Sequence, residues 1–182
     1  MKIARTIALL LIAVTLFDSC NKKKDPEPEP APVVPTINGS MTANLNGNSW
    51  TSVKNYAELL IDDTDQISAI AINGETADNM FVWGIDFPTA DPNIAVGNHD
   101  MGLTRDDAVM IYVKKTANGG TLIEHSPDEG TINITAVDNV NKKISGTFTL
   151  LAHKIGSTAA ADSIKITNGV FTNISFTTRH QQ

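Results

Sequence analysis

The sequence predicts an all-β protein, a single antiparallel β-sandwich or flattened β-barrel of roughly nine or ten short strands. The first observation is the alternation of apolar and polar residues over most of the chain after residue 36, which is typical of strands with one buried face. The second is the set of turn residues that separates these runs. The third is the lack of a convincing helical period. Only 56–61 and 158–161 could each form one helical turn.

The alternation is clearest in residues 79–87, where Phe81, Trp83 and every second residue after them are large and apolar. β-branched residues dominate most of the other runs, as strands favour. Residues 109–113 are apolar on both faces, so we expect a central strand that is covered on both sides. The predicted strands are 41–46, 49–54, 57–61, 67–73, 79–87, 94–101, 108–115, 121–124, 129–138, 143–153 and 162–176, the last with a break.

Asn-Gly pairs provide the main turn signals. Asn46-Gly47 lies between two alternating runs and is the strongest short-range indication of a hairpin. Asn73-Gly74 and Asn168-Gly169 are expected to interrupt later runs, and residues 138–141 to form a further turn. These turns predict strands that are joined mostly as antiparallel neighbours.

Residues 1–19 have the three parts of a secretory signal: a positive start, an apolar stretch over 7–17, and the small residue Ser19 before Cys20. The apolar stretch is too short to span a bilayer, which needs about 20 residues. The segment resembles a lipoprotein signal of the looser kind found in Bacteroidetes, which implies cleavage before Cys20 and acylation of its thiol. A transmembrane anchor and a periplasmic protein with a free thiol are the alternatives.

Residues 20–35 are predicted to be a lipidated cysteine followed by a tether to a domain of residues 36–182. Five prolines fall within 26–35, and proline fixes φ and removes a backbone donor. Such a chain prefers the extended polyproline II form, so the residues from 22 to 35 would span on the order of 40 Å.

These features predict a protein that is attached to the outer membrane through lipid on Cys20 and faces the periplasm or the cell surface. One acyl chain binds only marginally, whereas several chains on one cysteine make a lasting anchor. Because Cys20 is the only cysteine, we expect no disulfide within the domain.

The domain of residues 36–182 is acidic, with nine Lys and Arg against sixteen Asp and Glu, a net charge of −7. An acidic domain without a basic stripe is a poor nucleic-acid binder, so no nucleic-acid partner is expected. We also expect a monomer without a cofactor.

The motifs of catalysis and metal binding are missing from the sequence. The histidines are separated and form no HExxH pair, and there is neither a GxSxG elbow nor a glycine-rich phosphate loop. His153 is expected to be solvated on the polar side of its strand, and His180 to lie near a frayed end. We therefore predict no catalytic and no metal-binding residue. The four histidines are His99, His125, His153 and His180.

Clustered acids are the remaining candidates for chemistry. Asp62, Asp63 and Asp65 lack the glycine and the distal glutamate of an EF-hand loop, so we interpret them as solvated turn residues. Asp106-Asp107 and Asp128-Glu129 are interpreted in the same way. A glycosidase can draw its carboxylate pair from distant strands, which leaves that alternative open. Convergence in one cleft would favour an enzyme for the following set: Asp62, Asp65, Asp106, His99 and His125.

Residues 41–50 resemble the opening hairpin of a group of uncharacterised Bacteroidetes lipoproteins, in which a strand, a turn and a tryptophan start the domain. Residues 130–134, 144–148 and 169–171 resemble the closing section of the same group. The resemblance implies a β fold and brings no established activity and no catalytic residues. Separately, the tripeptide at 162–164 resembles the Bacteroidetes acceptor for O-glycosylation, which implies modification of Ser163.

Together these observations predict a non-catalytic domain that binds an unknown protein or glycan ligand through loops or one sheet face. Trp50 and Tyr56 are the aromatic residues best placed to be partly exposed, although core packing is favoured for Trp50. The alternatives are an envelope hydrolase of the glycosidase type that uses dispersed carboxylates, and a structural component of the envelope.

Overall fold

The structure is a computed structural model and describes residues 39–87, 93–102, 108–115, 121–156, 159 and 162–181. The predicted signal peptide, Cys20 and the tether to residue 35 lie outside these residues, and so do Asp106 and Asp107. None of the described elements is a helix of the length and hydropathy needed to cross a bilayer.

Ten β-strands make up the described chain, which confirms the predicted all-β fold class. Residues 56–61, one of the two helical alternatives, are part of the third strand. The strands are β1 Ser40–Leu45, β2 Asn48–Thr51, β3 Lys54–Asp62, β4 Ile67–Glu75, β5 Asn79–Phe87, β6 Gly97–Gly102, β7 Ala108–Lys115, β8 Thr121–Asp138, β9 Lys143–Lys154 and β10 Ser163–Gln181.

The strands form one curled sheet whose two ends meet. The order is β2-β1-β10-β3-β4-β5-β7-β6-β8-β9, and an additional pairing of β9 with β10 closes the ring. The long strands β8 and β10 allow this closure, because each pairs with β9 on one edge and with two shorter strands in succession on the other. Most pairings are antiparallel as predicted, whereas β10 with β3 and β6 with β7 are parallel.

Two expected interruptions are bulges within continuous strands. Residues 121–124 and 129–138 were predicted as separate strands, but they belong to β8, whose register shifts between Pro127 and Glu129. The break in the last strand is a bulge at Asn168-Gly169, where Asn168 has a φ of 51°, and β10 then continues beyond residue 176 to Gln181. A bulge absorbs an extra residue without ending the ladder, which alternation alone does not reveal.

The Asn73-Gly74 turn prediction is wrong, because both residues lie inside β4. Gly74 is needed for close approach: a Cβ there would overlap the sulfur of Met41 and crowd the Trp50 ring. A strand glycine of this kind marks the place where another element packs directly on the backbone. Here that element is the hairpin of β1 and β2.

The interior of the ring is filled by side chains from nearly all strands. The Trp83 and Phe148 rings are 4.3 Å apart, and Phe148 stacks on Phe171 at 6.4 Å, so β5, β9 and β10 meet at the centre. The predicted inward face of 79–87 is confirmed, since Phe81 and its alternate neighbours are buried in the core. β7 is central as predicted, with buried residues on both of its faces.

Candidate functional site

The hairpin of β1 and β2 is the confirmed Asn46-Gly47 turn, with φ values of 49° and 82° at its two central residues. The hairpin places Trp50 inward, where its ring meets Phe81 edge-on at 4.6 Å. Trp50 is only 7% exposed, which confirms the favoured expectation that it packs in the core. The ring is buried because the hairpin packs its apolar face over β4.

A polar network secures this hairpin to the neighbouring turn. The Trp50 indole donates to Asn79 Oδ1 at 2.7 Å, and the Thr76 hydroxyl donates to the same oxygen at 3.1 Å. The Lys115 ammonium donates to the Thr76 carbonyl at 2.7 Å and pairs with Glu75 at 2.7 Å. All these groups are engaged with one another, which indicates a structural role.

Tyr56 lies on the outer face of β3 and is half-buried. The Lys54 ammonium lies 5.5 Å from the centre of its ring. Burial, followed by the nearby carboxylates of Glu75 and Glu58, raises the pKa of Tyr56 to about 12. The phenol is therefore neutral at ordinary pH.

The outside of the ring has two different surfaces. On β3, β4, β5 and β7 several outward side chains are apolar and buried although they lie outside the central core cluster, while Lys54, Glu58 and Asp86 make the same face partly polar. On β8 and β9 most outward residues are polar, and Thr147 and Thr149 are exposed. The polar surface of β8 and β9 is therefore one open part of the sheet. The buried apolar residues of the first surface are Leu60, Ala71, Met80, Val82 and Val113.

The acids at the β3–β4 turn serve the turn itself. The Asp62 carboxylate accepts hydrogen bonds from the backbone amides of Thr64 and Asp65, both at 2.9 Å. Asp138 caps the β8–β9 turn in the same way, through the amides of Val140 and Asn141. These contacts confirm the interpretation as turn residues for the cluster that starts at Asp62. The same interpretation is wrong for Asp128 and Glu129, which lie inside β8.

The set proposed for an enzyme cleft is spread over different elements. Asp62 and Asp65 belong to the β3–β4 turn, whereas His99 on β6 lies edge-on to Phe87 at 5.7 Å. His125 on β8 lies edge-on to Tyr112 at 5.5 Å, and Asp106 is outside the described residues. Within the described ranges, no group of three or more His, Cys, Asp or Glu is arranged to hold a metal ion.

The other two histidines pair with acids, which the sequence did not predict. His180 lies within β10 rather than at a frayed end, with Nδ1 3.1 Å from Asp63 Oδ2. His153 Nδ1 contacts Asp128 Oδ2, and both side chains are about one-third exposed, so His153 is not a freely solvated group. Pairing across 25 residues depends on the β8–β9 register and has no local sequence signal.

A serine lies on the other side of this histidine. Ser163, the first residue of β10, is the register partner of His153 on β9. Their neighbours Ile164 and Ala152 are in the core, so Ser163 and His153 both face outward. Directly opposed residues of an antiparallel pair have Cβ atoms about 4.5–5.5 Å apart. The structure therefore brings Asp128, His153 and Ser163 together on adjacent strands.

The fold and this site define a small β-barrel domain with a packed interior and a polar face. The chain belongs to a family that is described as a domain of unknown function (DUF6252), which matches residues 38–175. This confirms the expected uncharacterised family, while the lipoprotein signal and the bacterial group stay predictions. None of the curated proteins and none of the solved structures matches the chain significantly.

Proposed function

We propose that this chain is a lipid-anchored envelope protein whose barrel binds a protein partner at the outer membrane. Lipid on Cys20 attaches the chain, and the proline-rich tether keeps the barrel away from the head groups. The order of a short apolar stretch, a small residue, a cysteine and then polar residues supports the anchor. The barrel faces the periplasm or the cell surface.

The observation on which the binding role rests is that the interior of the barrel is filled, which leaves only the outer surface for recognition. Trp83 and Phe148 meet across the centre at 4.3 Å, and the large side chains around them are fully buried. A barrel of this size holds a small ligand only when its interior is left open. Recognition by this domain therefore uses the outer surface.

A protein partner is favoured over a glycan, because aromatic side chains commonly form the platform on which sugar rings stack. Trp50 is committed to the core and donates to Asn79, and Tyr56 is half-buried. The polar face of β8 and β9 instead offers hydroxyl groups such as those of Thr147 and Thr149. The hydrolase alternative gains no support from Asp62, whose carboxylate is engaged in its turn.

The anchor is tested by growing cells on an alkyne-tagged fatty acid and measuring label on the full-length protein. We expect label on the wild type and none on Cys20→Ala. As a matched control, Cys20→Ala/Val140→Cys moves the thiol to a turn residue that is 90% exposed, and it should also stay unlabelled. Label on that control, or an unmodified Cys20 in mass spectra of the wild type, would contradict the proposal.

The binding role is tested with a photo-crosslinking residue at Thr149 on the polar face, and with the same residue at Val140 on the β8–β9 turn. In intact cells we expect one discrete crosslinked adduct from the Thr149 position and a weaker adduct from the Val140 position. Both adducts should be absent when Cys20→Ala is also present. The absence of an adduct from both positions, or non-specific crosslinking of equal strength from both, would overturn the binding role. Neither result would bear on the anchor, which the labelling experiment tests separately.

A further inference from the structure

We propose that Ser163 is a nucleophilic serine toward carboxylic esters, with His153 as its general base and Asp128 as the residue that positions His153. This departs from the sequence-based expectation of a domain without catalytic residues. It also goes beyond the anchoring and binding roles, because it depends on a different part of the surface and neither requires nor excludes a protein partner.

The geometry comes from the position of β9 between β8 and β10. On the β10 side, Ser163 is directly opposite His153 in the antiparallel register. On the β8 side, the Asp128 carboxylate contacts His153 Nδ1, next to the bulge between Pro127 and Glu129. The strands that carry the serine and the carboxylate therefore lie on opposite sides of β9, and Asp128 is the extra residue of the bulge, which brings its carboxylate to the ring.

The contact between Asp128 and His153 Nδ1 determines which ring nitrogen carries the proton. A neutral imidazole has one N–H and one basic nitrogen. A carboxylate at Nδ1 holds the proton there, which leaves the Nε2 lone pair available to a hydroxyl group. This is the division of roles in a Ser-His-Asp triad, which is recognised by geometry and not by the order of its residues in the chain.

The reaction follows from these roles. The Ser163 oxygen forms a bond to the ester carbonyl carbon as its proton passes to His153 Nε2. The tetrahedral intermediate breaks its bond to the alkoxide, which leaves with the proton from the imidazolium. Water then attacks the acylated Ser163 by the same proton transfers, and this releases the carboxylic acid and restores the serine.

The surroundings point to small, activated esters. His153 and Asp128 are 33% and 35% exposed, so a substrate reaches them from solvent without a deep pocket. The Asn46 amide beside the serine already donates to the Ser163 carbonyl at 3.4 Å. Because an oxyanion hole aims preorganised donors at the developing charge and this amide is engaged with the backbone, we expect slow turnover.

The test is covalent labelling of the full-length protein, purified in detergent, with a fluorophosphonate probe and with an aryl acetate. Peptide mass spectrometry locates the adduct. We expect it on Ser163, absent from Ser163→Ala, and formed at least about tenfold more slowly in His153→Ala. Ser126, the register partner of His153 on β8, provides the matched control, since Ser126→Ala should label like the wild type.

The role of Asp128 is tested by comparing two variants that differ in whether a carboxylate is kept. Asp128→Asn should slow labelling at unchanged thermal stability, whereas Asp128→Glu should recover most of the rate, and a general loss of structure would slow both. Equal thermal unfolding of the serine variants confirms that they are folded. A wild type that is not labelled, or a label that survives in Ser163→Ala, would overturn the proposal.

Discussion

The Trp50 indole donates a 2.7 Å hydrogen bond to the Asn79 side chain, and this contact joins the first hairpin to the start of β5. Asn79 Oδ1 also accepts from Thr76, whose backbone carbonyl accepts from Lys115. This end of the barrel is therefore covered by a tryptophan whose indole N–H has an acceptor. Buried tryptophans usually have such a hydrogen-bond partner.

We expect Trp50→Phe to lower the free energy of unfolding by about 1–3 kcal/mol, because the variant loses a buried hydrogen bond and part of a packed ring. Chemical denaturation of purified protein measures this change. Asn79→Ala should cost a similar amount, since it leaves the Trp50 donor without its acceptor. The double variant should cost clearly less than the sum of the two, and simple additivity would show that the contact is not the cause.

Trp83→Phe should cost less than Trp50→Phe, although Trp83 is more deeply buried. Trp83 Nε1 is buried with no hydrogen-bond partner among the described residues. Replacing the indole removes this unsatisfied donor, a relief of about 1–3 kcal/mol that offsets the smaller ring. We expect a net change within about 1 kcal/mol by the same denaturation experiment. A loss larger than that of Trp50→Phe would contradict this account.

Tyr56 should titrate near pH 12, while an ordinary tyrosine titrates near 10.0. The chain has two tyrosines, so Tyr112→Phe leaves Tyr56 as the only source of the tyrosinate absorbance. Because the unfolded phenol loses its proton first, Tyr56 favours the folded state below pH 10, and this contribution is lost as the pH rises from 10 to 12. A midpoint near 10 in the folded variant would refute the burial argument.

Asp138 should contribute to stability only while it is ionised. The Asn141 side chain and the turn amides lower its pKa below the ordinary value of 3.8. Its contribution is therefore fully present above about pH 3.8 and is lost as the pH falls through the lower, folded-state value. Thermal unfolding should show that Asp138→Ala lowers the melting temperature at neutral pH and has less effect in acid.

A variant that keeps the acceptor oxygen provides the control for Asp138. Asp138→Asn preserves an oxygen for the amides of Val140 and Asn141, so it should retain more stability at neutral pH than Asp138→Ala. Its melting temperature should also vary less with acid pH than that of the wild type. Identical pH dependence in the wild type and both variants would show that the carboxylate has no special role.

The local features of the fold could be predicted because they depend on neighbouring residues. The Asn46-Gly47 hairpin, the inward face of 79–87 and the turn after Asp138 all follow from residues next to each other in the chain. Asn73-Gly74 failed as a turn, because the same dipeptide also suits a close approach between Gly74 and Met41. Local sequence does not distinguish these two uses of glycine.

The sequence by itself determined the strand-forming pattern, the acidic charge of the domain, and the lone cysteine behind a short apolar stretch. Only the tertiary structure decided that the Trp50 indole meets Asn79, that β10 runs parallel to β3, and that His153 lies between the strands of Asp128 and Ser163. The physical reason is that alternation reports which face of a strand is apolar, whereas register and bulges decide which side chains meet, and both are set by packing across the whole sheet.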